Sequence, residues 1–328
     1  MKYRELGRTG VRVSEVGFGL WTLSTGWWGH HQHDEAVRLL RLAYDLGVTF
    51  FDSADVYGDG YADTLLRDAF GEVRSRVVYA TKVGYDWYNH KREGGQREHP
   101  HDWSPSFVRF AVEKSLERMG TDFLDWLQLH NPRMDALQNE ALAGELERLQ
   151  REGKVRAWGV ALGPAIGWRE EGVFALRARS APAMQVIHNL LEQEPGRDFI
   201  AAARETGAGL VARVPHSSGL LEGHYTEETT FPPGDHRNHR PREWLTEGLK
   251  KVEQLRFLER PERTLGQAAI QWLLAEPSMA SVLPNIYDEA QLREFAAAPD
   301  SPPLSAEELA RVDALYESNF GLTPAVTP

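Results

Sequence analysis

Short apolar runs alternate with amphipathic stretches along almost the whole chain. The runs are "VGFGLW" from Val16, "VTFFD" from Val48, "VVYATKV" from Val77 and "FLDWLQLH" from Phe123, then "VRAWGVAL" from Val155, "MQVIHN" from Met184, "GLVARVP" from Gly209 and "SVLPN" from Ser281. Several are continuously apolar rather than alternating, which predicts parallel strands buried on both faces. Between them lie helical patterns. The stretch beginning "HQHDEAV" predicts a helix with Asp34 as N-cap and Val37, Leu40 and Tyr44 inward. "SPSFVRFAVEKSLERMG" places Ser104 at the N-cap, Pro105 at the first helical position and Gly120 as the stop, with Val108, Ala111, Val112 and Met119 as its apolar stripe. "SAEELARVDALYE" has Ser305 and Glu308 at capping-box spacing.

Eight strand–helix units predict an α/β fold, a single (β/α)8 TIM barrel treated as one domain over 1–328. The "YRELGRTGVRVSE" segment, with Gly7 and Gly10 at its turn, reads as an N-terminal β-hairpin closing the barrel floor, and the last helix as an accessory. The competing architecture is a doubly wound sheet. It lacks support because "GFGLWT" carries only two glycines of a G-x-G-x-x-G fingerprint and opens no helix. Two connections exceed ordinary barrel loops: Gly84 to Trp103, and Leu220 to about Arg242. Both follow strands, on the face where barrels place their chemistry.

Composition narrows the picture a little. With 37 basic and 48 acidic residues the net charge is −11, which disfavours nucleic-acid and anionic-membrane partners. There is no cysteine, no signal-peptide pattern and no apolar run of spanning length, so a cytoplasmic location is expected. The cluster His30, His31 and His33 lacks metal-ligand spacing, as do His236 and His239, and no metal is expected.

The informative feature is a set of polar residues at the ends of apolar runs. Asp52 closes the second run, Lys82 the third and His130 the fourth, and Tyr57 lies on the loop after Asp52. A carboxylate ending a buried strand needs a partner, and Lys82 is the cation the topology offers. An ammonium beside a phenol favours the phenolate, making the tyrosine a better acid. Such a hydroxyl can protonate an oxygen gaining negative charge while an imidazole hydrogen-bonds to the same atom. The arrangement suits carbonyl reduction by hydride from a nicotinamide.

These segments resemble the aldo-keto reductases. "FFDSADVYG" is similar to the family's F-D-T-A-x-x-Y-G, "ATKVG" to its lysine motif and "LQLHNP" to its histidine motif, with further likeness at "GKVRAWGV", "MQVIHNLL", "GLLEG" and "GQAAIQWLL". The resemblance implies Asp52, Tyr57, Lys82 and His130 as catalytic tetrad and NAD(P)H as hydride donor to an aldehyde or ketone. It implies cofactor contacts at Gly19, Leu20, Trp21, Asp52, Gln185, Arg213, Leu220, Pro284, Asn285, Gln291 and Glu294. Substrate would meet Trp21, Tyr57, Tyr85, Trp87 and His130, with Trp103 farther along the same loop. The pattern also departs. Ala161 and Leu162 stand where a Ser–Asn pair holds the carboxamide, leaving Gln185 for that role. Arg213 stands where an aromatic stacks on the nicotinamide, and a guanidinium can replace it. The adenosine loop reads Asn285, Ile286, Tyr287 and Asp288, without a cation until Arg293, and Phe295 replaces an asparagine. NADP(H) is favoured by the resemblance, with NAD(H) open because Asp288 suits a ribose hydroxyl. Two rival readings are a cofactor-binding regulatory subunit like the family's channel β-subunits, and a cofactor-free or metal-dependent barrel isomerase or hydrolase using Lys82 and His130. Oligomeric state and the physiological carbonyl compound are not encoded in these patterns.

Overall fold

The computed structural model describes residues 1–90, 98–163 and 165–322, so part of the Gly84–Trp103 connection, residues 91–97, lies outside the described residues. Tyr3–Glu5 (β1) and Arg12–Ser14 (β2) pair antiparallel, and Gly7 and Gly10 both take positive φ at the turn. Leu6, Val11 and Val13 from this hairpin enter one apolar cluster with Phe50, Trp126, Val211 and Leu283, closing the barrel floor. The approach is tight: a Cβ on Gly7 would sit 2.1 Å from the Gly209 nitrogen.

Eight parallel strands follow: Phe18–Gly19 (β3), Phe50–Asp52 (β4), Val78–Val83 (β5), Leu124–His130 (β6), Val155–Ala161 (β7), Ala183–Ile187 (β8), Gly209–Arg213 (β9) and Met279–Leu283 (β10). Each predicted run yields one strand, and neighbours in sequence are neighbours in the sheet. The first run shrinks to two residues but still closes the barrel. Gly17 N donates to Val282 O and Val282 N to Glu15 O, both at 2.9 Å. A doubly wound sheet would leave those edges apart.

Helices cover the outside, and their caps follow local chemistry. Ser104 accepts from Phe107 N, Pro105 opens helix Pro105–Met119, and Gly120 ends it at φ 61°. The helix predicted to begin at Asp34 starts earlier. Gln32 is its N-cap and forms a reciprocal capping box with Glu35, which leaves Asp34 inside the first turn, where its charge still suits the helix dipole. Ser305 and Glu308 form the expected capping box of helix Ala306–Glu317. A second accessory helix, Arg242–Leu255, was not anticipated; it packs with the C-terminal helix in a separate apolar cluster around Leu220, Leu245, Val252 and Val312. Glu308 also receives the fully buried Arg263 at 2.6 Å. Against burial, which raises its pKa, the Ser305 amide with Arg260 and Arg263 bring it down to about 2.

Candidate active site

Strand periodicity builds the site. Phe50, Ala80, Trp126, Ala157, Ala183 and Val211 fill one apolar layer inside the barrel. Side chains two residues farther along a strand return to the same face. The next layer therefore receives Asp52, Lys82, Gln128, Gln185 and Arg213, with His130 one step beyond Gln128. Gly159 stands in that layer as a glycine because a Cβ would lie 2.3 Å from Ala183 O and 2.6 Å from the Trp126 indole nitrogen.

The polar layer is closed on itself. Lys82 Nζ donates to Asp52 Oδ2 at 2.5 Å and to Ser53 O at 2.7 Å. Asp52 Oδ1 accepts from Gln128 Nε2 at 2.8 Å and Gln185 Nε2 at 3.0 Å, and Gln185 Nε2 also reaches Gln128 Oε1 at 3.1 Å. The buried carboxylate thus has an ammonium and two amides, which offset the cost of taking its charge out of water. Gln128 was missed by the motif reading, although it is the one amide within the otherwise apolar strand face shared by Trp126 and His130.

Tyr57 hangs over this layer from the loop after β4. The Lys82 ammonium lies 4.9 Å from its ring centroid, and the His130 ring meets it edge-on at 6.0 Å. The next residue, Gly58, has φ 59°, and a Cβ there would lie 2.4 Å from Ser24 O, so the tyrosine–glycine pair fixes the loop. His130 is held well below the ordinary imidazole pKa by burial, Lys82, Arg213 and His101, in that order, so it is neutral at pH 7. His130 Nδ1 has no hydrogen-bond partner.

Aromatic walls flank the tetrad. Tyr85 stacks on His101 at 4.1 Å, touches His130 edge-on at 4.8 Å, and its hydroxyl accepts from Asn131 at 2.7 Å. Trp103 stacks on His101 at 4.9 Å and backs this wall. Trp87 packs on Tyr88 beside Asp55, a fully buried carboxyl. Burial and Asp63 push the Asp55 pKa well above the ordinary carboxylate range. Sequence gave no signal for this beyond the acid's position in the loop. Trp21 joins Trp27, Trp28 and His236, and His236 N donates to Trp27 O at 2.8 Å. The long connection after β9 therefore reaches across the rim to the first βα loop. Trp21 packs against that crossing.

The remaining predicted residues separate into two groups. Arg213 Nη2 donates to Leu162 O at 2.6 Å, while its buried Nε has no partner. Its guanidinium occupies the rim where Ala161 and Leu162 offer no side-chain donor. Leu20 is fully buried and its amide donates to Asp52 O at 2.9 Å, with Gly19 beside it. Pro284, Asn285, Gln291 and Glu294 lie at and after the end of β10, and Thr22 ties the first loop to Ile286 O at 2.5 Å. Leu220 is different: its side chain is buried against Gly248 in the second apolar cluster, leaving only its backbone for a ligand. Phe295 is buried under His216 at 4.4 Å. Among the described residues no group of three metal-ligating side chains converges, the His30–His33 segment included.

The aldo/keto reductase family model matches residues 15–317. An aldo-keto reductase of Bacillus subtilis, YhdN, is 30% identical over 288 residues, covering 84% of this chain and 82% of its own. A probable voltage-gated potassium channel subunit beta of Arabidopsis thaliana is 27% identical, covering 93% of each chain. The structure of a Bacillus halodurans aldo-keto reductase in its holo form superposes with a TM-score of 0.76 at 26% identity, covering 96% of both chains. With a barrel, a rim and a family model that agree over most of its length, the chain belongs to the aldo/keto reductase family.

Proposed function

We propose that this chain reduces aldehyde or ketone carbonyls to alcohols with NAD(P)H, Tyr57 acting as general acid. The supporting observation is the convergence of Asp52, Lys82, Tyr57 and His130 from consecutive strand ends. A bound nicotinamide dinucleotide supplies the hydride. The chain's own residues do the rest. Lys82, oriented by Asp52, favours negative charge on the Tyr57 oxygen as its proton leaves. Neutral His130 donates a hydrogen bond to the carbonyl oxygen and adds no competing charge. Tyr85 and Trp87 wall the carbonyl compound and exclude water.

The residues present fit such a cofactor. The buried, partnerless Arg213 Nε is a donor kept for a ligand, and Gln185 is within the same layer. Gly19, Leu20 and Trp21 would border the dinucleotide on one side, and the Leu220 backbone, Pro284, Asn285, Gln291 and Glu294 would meet its adenosine end. The decisive experiment is Tyr57→Phe assayed on a reactive aldehyde. The hydroxyl is worth about 10²–10⁴ in rate. Turnover is expected to fall by that much while nucleotide quenching of tryptophan fluorescence persists. Undiminished turnover would remove Tyr57 from its role. The likeness to a channel subunit keeps one second reading in view, a regulatory nucleotide-binding subunit. It predicts tight nucleotide binding without turnover on any aldehyde or ketone tried.

A further inference from the structure

The adenosine end carries an unusual charge. Glu222, on the connection after β9, accepts from Gln291 Nε2 at 2.9 Å. Asp288 caps helix Glu289–Ala297, its Oδ1 accepting from Gln291 N at 2.8 Å. Glu294, one turn along, accepts from Thr264 Oγ1 at 2.6 Å. Gln291 therefore joins two carboxylates from different connections, and the charges of Glu294 and Asp288 both act on Glu222.

Among the described residues, the cations that meet these acids or their helix directly are already engaged. Arg237 is the guanidinium that faces Glu222, yet it is bound twice to Asp235, at 2.8 and 2.6 Å, and to the Tyr225 hydroxyl at 2.6 Å. Arg293 turns back to Glu289 at 2.8 Å, and Arg38 meets the same carboxylate at 2.9 Å. His31 feels Asp288, but burial keeps its pKa low. His216 is buried, bound to Gly266 O at 3.0 Å and neutral at pH 7. Tyr225 and Tyr287, the other titratable neighbours of Glu222, are uncharged there as well.

Resting on the functional reading above, we propose that Glu222, Asp288 and Glu294 select the dinucleotide that lacks a 2′-phosphate, so that this protein uses NADH in preference to NADPH. A ribose 2′-hydroxyl is a donor, and carboxylates are its natural acceptors. A 2′-phosphate is a dianion over most of the neutral range and would enter a groove with three acids and no uncommitted arginine among those named. The inference reverses the NADP(H) preference that the family resemblance suggested, and places its cause on residues of this chain.

Parallel fluorescence titrations of the intact protein with NADH and NADPH test it, at pH 8 in low and high sodium chloride. NADH is expected to bind at least tenfold more tightly. The gap is expected to narrow with salt, because screening weakens repulsion. Glu222→Gln keeps the acceptor for Gln291 and removes the charge; it is expected to narrow the gap severalfold at pH 8 and little at pH 6, where the wild-type acid is already protonated. NADPH binding equal to or tighter than NADH, or a NADPH advantage that salt erodes, would overturn the proposal. Should Glu222→Gln fold poorly, the salt series on the wild-type protein still decides. Failure of both nucleotides to bind would instead bring down the carbonyl-reductase reading itself.

Discussion

The two ends of the rim solve opposite electrostatic problems. At the tetrad end Asp52 is buried, and each of its oxygens has a donor arranged by strand register. At the adenosine end Glu222 is crowded by Glu294 and Asp288, and its cation is spent on Asp235. The first end holds a charge pair in place whether or not a ligand is bound. The second holds unfavourable charge, relieved by a ligand that brings donors and worsened by one that brings phosphate. The satisfied charges thus sit on strand ends, and the crowded acids on the connections after β9 and β10.

The strongest way to break this contrast is to remove the cation from the satisfied end. Lys82→Met leaves the Asp52 carboxylate buried with only Gln128 and Gln185 as donors. Breaking a buried pair on one side costs about 3–5 kcal/mol. An unfolding free energy in urea lower by that amount is expected, with part of it restored in the Asp52→Asn, Lys82→Met double variant. A single-variant cost below about 1 kcal/mol would mean the pair does not hold the rim together.

Histidines at the two ends provide a sharper test. His216, buried beside Gly266 at the adenosine end, is pushed down to about 4 by burial, whereas His130 owes part of its lowering to Lys82 and Arg213. Because the folded pKa of His216 lies below the unfolded 6.5, the native state binds fewer protons between those values. Its stability is present above pH 6.5 and is lost as pH falls toward 4, by roughly 3 kcal/mol at 1.4 kcal/mol per unit. Urea titrations between pH 7 and 4 are expected to show this decline and to lose that part of it in His216→Gln. In Lys82→Met the His130 resonance is expected to titrate higher while His216 stays unmoved. Equal shifts in both would deny the separation of the two ends.

The same separation explains what was legible in the sequence. Asp52, Lys82 and His130 end apolar runs, so strand period and one-sided burial placed them without coordinates, and the hairpin announced itself through Gly7 and Gly10. Gln128 was legible by the same rule but carried no motif. The acids were not. Glu222 and Gln291 are 69 positions apart and meet only because a long connection folds back over the rim. Likewise the packing of Trp21 against His236 rests on that same fold-back, and no local pattern announced it. The cap of helix His33–Asp45 shows a smaller failure of the same kind. Asp34 is the better capping residue by type, but Gln32 with Glu35 completes a reciprocal pair, and geometry outweighed propensity.

The smallest expected effect concerns the unfavourable end alone. Burial first, then Glu294 and Asp288, push Glu222 up to about 7 against Gln291 and Arg237, whereas its unfolded value is 4.5. The native state therefore keeps its proton longer than the unfolded chain, and stability falls as pH rises from about 4.5 to 7, with the full cost present above 7. The side chain is partly open to solvent, so we discount the 1.4 kcal/mol per unit and expect about 1–2 kcal/mol. Glu222→Gln is expected to raise the unfolding free energy of the nucleotide-free protein, measured in urea, by that amount at pH 8 and to leave it unchanged near pH 4.5. Saturating NADH is expected to shrink the difference between variant and wild type, because the ligand's hydroxyls give the carboxylate what the chain withholds. A variant that is no more stable than wild type at pH 8 would mean that Glu222 is already well solvated, and that the acidic groove exerts no strain for a cofactor to relieve.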